Sequence, residues 1–498
     1  MKRILSFILG TVLFAGCIPS GYDAAVAASD TLSLYPDYTD LVIPYNIAPM
    51  NFIVRNEADA CVVVLSGGGR EIKVKGPEVA VPVKQWHELL DASKGGKITV
   101  SVFARKDGKW VKYPEVVNEV AADPIDEYVM YRLIEPGYSN YGQLLLRQRH
   151  LTDFKEKDMY NNSLITEPVN QQCINCHSFQ NYSTNRIQFH ARETSGGTVI
   201  LDGKKGKKVA FKTGDLISNG VYPSWHPYED LIAYSVNTTV QVFFQKDRQR
   251  LEAFDLRSDL VLYDINTDEI SYIVNDSLQF ETFPYWAPDG KTLYYASADV
   301  TRFGANSQTN VTPLCREIRY SICAIDFDPQ TRAFGKPRMI FDAAADSLSA
   351  VTPRPSPDGK YLLSGVGDYG SFHIWHDSAD LYLTDISTGE TRPLDEVNTE
   401  EAESFKTWSS NSRWIIFTTR RDDGAYSRLY ITYFDENGRA HKPFIMPQKD
   451  PEQNLRLFKS YNVPEFCKDE VQWKPKQIEK ILLGEPVHTT QIEPKYFE

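Results

Sequence analysis

One plan recurs four times in the second half of the chain, and it limits the fold more than any other feature. Residues 223–235, 284–297, 353–364 and 406–419 each set a Pro- or Trp-containing turn before an apolar strand. Trp225, Trp286 and Trp408 mark three of these turns, Pro355 stands in the fourth, and they lie 50 to 70 residues apart. Asp289-Gly290 and Asp358-Gly359 supply tight reversals, and proline presets φ ahead of them. A second hairpin follows each turn, around Asp264, Asp326, Asp385 and Asp435. One unit is four strands in two hairpins, which is one blade of a β-propeller. Residues 179–191 read as an earlier, degenerate copy. Residues 128–150 together with 458–466 would complete a further blade and close the ring with both chain ends. The expectation is an all-β chain with six blades, seven remaining open.

The region 35–122 alternates short apolar and polar runs separated by turns such as Gly67-Gly68-Gly69 and Asp107-Gly108. Some seven strands in under 100 residues predict a small immunoglobulin-like β-sandwich. The propeller is expected over 125–467 and a surface extension over 468–498. At the other end, Lys2 and Arg3 precede an apolar stretch too short to span a bilayer, which reads as an export signal over 1–17. It ends Phe14-Ala15-Gly16-Cys17, resembling a bacterial lipoprotein cleavage box. In that family the cysteine becomes the lipid-bearing N-terminus, a membrane anchor. Residues 18–34 are then a flexible tether. No acidic cluster follows Cys17, which favours the periplasmic face of the outer membrane. An excess of 66 acidic over 54 basic residues, net −12, argues against a nucleic-acid partner.

Cys173-Ile174-Asn175-Cys176-His177 carries the chemistry. C-x-x-C-H is the attachment motif of c-type haem: two thiols three positions apart each reach one vinyl group, and the adjacent histidine can ligate iron. A thioredoxin-like thiol pair would need a βαβ context, and a zinc site a second Cys/His pair nearby. One motif implies one covalent haem c, anchored by Cys173 and Cys176 with His177 as iron ligand. The sixth ligand is not readable. His190 is the first candidate, and Met159, His150, Met130 and Met446 are others. Cys315 and Cys323 could bridge a hairpin-like insertion, or stand as two free thiols.

Other signals carry less. Gly365, Gly367 and Gly370 spell a dinucleotide fingerprint, but no helix follows. His373 and His376, if on a strand, would face opposite sides and share no metal. Trp225, Trp286 and Trp408 read as packing, and residues 204–208 as a solvated basic turn. There is no serine elbow and no phosphate-binding loop.

The Trp-Ser-Pro-Asp-Gly-Lys character of the repeats resembles the TolB-type propeller family over roughly residues 180–445. The first repeat departs at His226, the third at Pro355 and the fourth at Asn411-Ser412. With the leader and the haem motif, the chain resembles exported TolB-like propeller lipoproteins of Bacteroidetes-type bacteria carrying one C-x-x-C-H. That resemblance implies a lipid-anchored envelope protein whose haem serves electron transfer or redox sensing. The alternative it implies is a TolB-like module binding envelope proteins on one propeller face, with structural haem or none.

Overall fold

The computed structural model describes residues 18–135, 143–165, 172–303 and 314–497. The leader and Cys17 lie outside the described residues. Among the described residues from Tyr128 onward, six sheets of four or more strands follow one another. The first joins Tyr128–Ile134, Leu145–His150 and Glu156–Asn161 to Ser460–Cys467, so both ends of the propeller region share one sheet. The second begins at Ile174–Gln180, the third at Gly220–Trp225, the fourth at Gln279–Trp286, the fifth at Ser349–Pro355 and the sixth at Glu403–Trp408. These five strands and Ser460–Cys467 are the inner strands. Each packs on the next and the last on the first, so the sheets form a closed β-propeller.

The turn chemistry works as its residue types dictate. Asp289 and Asp358 accept backbone N–H bonds from Lys291 (2.8 Å) and Lys360 (3.2 Å), and Gly290 and Gly359 take φ of +68° and +73°. Where the pattern departs, other groups substitute. His226 Nδ1 accepts from the backbone N–H of Glu229 at 2.9 Å. Asn411 accepts from that of Arg413 at 3.1 Å, and Ser412 takes the left-handed φ of +62°.

Every inner strand also carries a register shift. In five of them a residue with positive φ stands there: Cys176, Tyr222, Phe283, Thr352 and Val463. A bulge re-aims side chains out of the ladder. All five of these residues line one central cavity.

Ahead of the propeller, a seven-stranded and a three-stranded sheet enclose an apolar core. An 11-residue helix, Val83–Ser93, inserts Trp86, Leu89 and Leu90 into it, an element absent from the all-strand expectation. The same core continues into the first and sixth propeller sheets through Tyr131, Trp414, Ile416 and Tyr461. Trp414 is fully buried at this junction. Trp414→Ala is expected to lower stability by about 3–5 kcal/mol, read as a shift of the urea midpoint.

Two expectations need correction, and one open alternative resolves. Residues 18–34 are not a free tether: Val26–Ala27 pairs in parallel with Lys109–Lys112, and Tyr22 is buried against Phe103 and Trp110. Aromatic packing ties the segment down. The tail is more than a surface extension. Helix Pro475–Leu483 buries Ile478 and Leu482, and the chain then adds Val487–His488 and Thr490–Gln491 in parallel to the outer strands of the second and third sheets. Tyr496 bridges to Phe334 of the fourth. These additions cover strand edges that would otherwise invite pairing with another chain. Finally, Cys315 and Cys323 are free thiols with no bridge between them. Cys323 belongs to an apolar cluster with Trp286 and Phe327, Cys315 to a different one with Ile318 and Tyr320.

Candidate functional site

The motif Cys173–His177 occupies the start of the second sheet's inner strand. Asn175 pairs with His190 and Ser178 with Gln188, and the register slips between. Cys176 and His177 therefore leave the ladder, Cys176 at φ +55°. The loop is held from two sides. Arg132 of the first sheet donates to the Ile174 carbonyl (3.0 Å) and to Asn462 Oδ1 of the closing strand (2.6 Å). The Gln188 side-chain amide donates to the Cys176 carbonyl.

Cys173, Cys176 and His177 all line the central cavity. Both thiols are free. Burial, the largest influence, raises the pKa of Cys176, so the thiolate that a redox thiol or nucleophile needs is disfavoured. His177 is buried, and neither ring nitrogen has a hydrogen-bond partner. Burial pushes its pKa down to about 3, a Met130 backbone contact offsetting part of the effect, so it is a neutral imidazole at pH 7. Two thiols and an orphaned neutral imidazole facing one cavity form the donor set that a thioether-linked haem requires. Unpartnered buried nitrogens are costly unless something satisfies them. The open volume is about 190 Å³, below the ~300–1,000 Å³ of common ligand pockets. A macrocycle here needs the lining to draw apart.

Sheets from all round the ring contribute to that lining. Arg132, Arg192 and Arg354 bring positive charge, and Tyr222, Phe283, Tyr285, Phe372 and Phe405 bring rings. One end is arched over by the long hairpin of the third sheet, Leu231–Phe243 and Leu251–Asp264. Its Arg248 pairs with Asp377 (3.7 Å) and Glu401, tying it to the fifth and sixth sheets. Toward the other end, Arg354 pairs with Glu465 at 3.0 Å and lies 4.3 Å from the Tyr285 ring centre.

The candidates for sixth ligand fall elsewhere. His190 is buried, but its Nδ1 sits 3.0 Å from Thr198 Oγ1 and it is absent from the lining. Met130 and Met159 pack in the apolar cluster behind Cys173, Met446 lies in the N-terminal core, and His150 Nδ1 meets Asp153 at 2.9 Å. Sequence reasoning passed over His373, which does line the cavity. It sits on a 3₁₀ turn, His373–Trp375, not on a strand. Positions three apart eclipse in such a turn, so the His373 and His376 rings come to 5.4 Å instead of facing opposite ways. Among the described residues no cluster of three or more His, Cys, Asp or Glu side chains could hold a bare metal ion.

Burial holds the His190 pKa at about 3, against 6.5 in an unfolded chain. The stability this gives is complete above pH 6.5 and is lost as pH falls from there toward 3. At pH 5 the loss is about 2 kcal/mol. His190→Gln is expected to lose about 2 kcal/mol less than the parent chain between pH 7 and pH 5, measured by urea unfolding at both.

No protein-family model matches the chain, and no curated protein does. Among solved structures, TolB from Acinetobacter baumannii aligns over 87% of this chain and 99% of its own, at 13% identity and a TM-score of 0.42. An ACO/RPE65 chimera aligns over 88% and 97%, at 10% identity and 0.38. A DUF4784 family protein from Bacteroides caccae aligns over 86% and 98%, at 10% identity and 0.31. No helix among the described residues is long and apolar enough to cross a membrane.

Proposed function

We propose that this chain is a c-type cytochrome-like protein of the cell envelope, serving electron transfer or redox sensing. In this reading it is a six-bladed TolB-like propeller behind an immunoglobulin-like sandwich. Lipid on Cys17 holds it at the outer membrane, facing the periplasm, where envelope proteins are its redox partners. The observation that carries it is the convergence of Cys173, Cys176 and the unpartnered His177 on one central cavity. Cys173 and Cys176 would hold haem c covalently and His177 would offer a nitrogen to its iron. Bound there, the group would supply one-electron exchange. The chain's own residues orient and shield it. Arg132 and Gln188 fix the attachment loop, the third-sheet hairpin limits water at one end, and Arg192 adds positive charge to the lining.

A second reading is a protein-interaction module with structural haem or none. It is favoured by a second pocket, where Tyr228 is 67% exposed above the buried Trp225 and Trp286.

The deciding experiment is a haem stain on a denaturing gel, after export in cells competent for cytochrome c maturation, with a pyridine haemochrome spectrum. A stained band with thioether-type absorbance is expected. An unstained band in those cells leaves the interaction module.

A further inference from the structure

Resting on the lipid reading of Cys17 above, we propose that the outer face of the seven-stranded sheet is seated on the membrane, against phospholipid headgroups. Register and core membership separate the two faces of that sheet. Cys61, Val63, Leu65 and Val102 point into the core. Their neighbours along the strands point the other way. Lys75, Val62, Phe103 and Lys112 stand side by side in one row across four strands. Lys73 and Val64 share the next row on one side, and Arg105 and Trp110 the next on the other. Val62 and Val64 form a small apolar cluster with Tyr22, Phe103 and Trp110, apart from the core.

The path of the chain brings the lipid to this face. The Tyr22 ring centre lies 5.0 Å from that of Phe103 and 6.2 Å from that of Trp110. A Cβ on Gly21 would meet Trp110 Nε1 at 3.7 Å. Cys17 stands five residues before Tyr22. An extended chain spans at most ~3.6 Å per residue, so a lipid-bearing Cys17 lies no more than ~18 Å from Tyr22. A free tether over 18–34 would let the domain turn any face to the bilayer. A chain pinned at Tyr22 presents this one.

The side chains there suit a layer of headgroups. Phe103 and Trp110 are half-buried, and Val26, which pairs with Val111 at the edge of the sheet, is 62% exposed. Cations sit over the rings: Lys73 5.9 Å from the centre of Tyr22, Lys112 5.7 Å from that of Phe103 and Arg105 5.8 Å from that of Trp110. Glu71 takes up Lys73 at 3.0 Å and Glu115 takes up Lys112 at 2.6 Å. Lys75 and Arg105 form no ion pair among the described residues, which leaves them for phosphate. Amphipathic rings and basic side chains are the residue types that settle where acyl chains meet water, and anionic headgroups draw the cations. In a chain of net −12, a basic face also turns the rest of the protein away from an anionic surface.

The test reconstitutes the exported chain into vesicles of phosphatidylethanolamine and phosphatidylglycerol, with and without a fluorescence quencher on the lipid headgroup. Tryptophan emission of the parent is compared with that of Trp110→Phe, Trp86→Phe and the double variant Lys75→Glu with Arg105→Glu. The mass of the N-terminal peptide reports lipid on Cys17. Quencher lipid should dim the parent. Trp110→Phe should lose most of that dimming, and Trp86→Phe, changed in the core on the far side of the sheet, should keep it. The double variant should keep its lipid and lose part of the dimming. A lipid-bearing parent dimmed no more than Trp110→Phe overturns the placement and leaves the face to a second copy or an envelope protein. Full dimming of the double variant overturns the headgroup contact. A parent without lipid on Cys17 overturns the anchor reading itself, and this placement with it.

Discussion

A chain carrying Cys173→Ala and Cys176→Ala together is expected to fold, to be exported like the parent, and to show no haem stain at all. Each substitution removes one sulfur from a cavity wall and breaks no hydrogen bond between side chains, so the cost in stability is about 1 kcal/mol per site. On the haem reading the loss of stain is total, because thioethers would be the only bonds to survive a denaturing gel. His177 and the cavity remain, so the double variant can hold haem that dissociates on unfolding. Single variants, each keeping one sulfur, should stain weakly. A double variant that stains like the parent would exclude the assignment of these two cysteines.

Ending the chain before Ser460 has the largest structural effect: no closed ring forms. The strand Ser460–Cys467 is the inner strand of the first sheet, and it buries Tyr461, Phe466 and Cys467 almost completely. Its loss also strips Asn462 from the buried Arg132 and Glu465 from the half-buried Arg354. Removing one partner of a buried ion pair alone costs about 3–5 kcal/mol, against a total stability of about 5–15 kcal/mol for a domain. Limited proteolysis reads the result. The shortened chain should be cut throughout the propeller at protease levels that leave the full chain whole. Equal resistance would mean that something other than ring closure holds the sheets together.

The repeats were legible because their signals are local. An Asp-Gly turn and a following apolar strand sit within a dozen residues, and the pairing of 128–150 with 458–466 followed from counting incomplete blades. The attachment motif was legible for the same reason, with five consecutive residues. The remainder of the site was not, because six inner strands spread over nearly 300 residues supply it, and Thr352, Phe405 or Val463 carries no mark of its place. A strand placement would have set His373 and His376 on opposite sides; the chain instead makes a 3₁₀ turn there, held by the tertiary contact with Arg420. The tail was unreadable as strand because Val487–His488 and Thr490–Gln491 are two residues each, shorter than any periodic pattern. The fate of residues 18–34 turned on Tyr22, one aromatic in a polar, Ala-rich stretch.

The strand that closes the ring also sets a clock. It leaves the ribosome about 280 residues after the attachment motif. At ~5–20 residues per second, synthesis alone keeps the two apart for roughly 15–60 s. Until Ser460–Cys467 arrives, the first sheet lacks its innermost strand and the channel stands open along its length on that side. If haem is attached to Cys173 and Cys176 as proposed above, the attaching enzymes would need that opening, since afterwards the same thiols line a cavity of about 190 Å³. On the haem reading, the order of the chain would place loading before closure, and a cell that delays maturation would accumulate closed rings without haem.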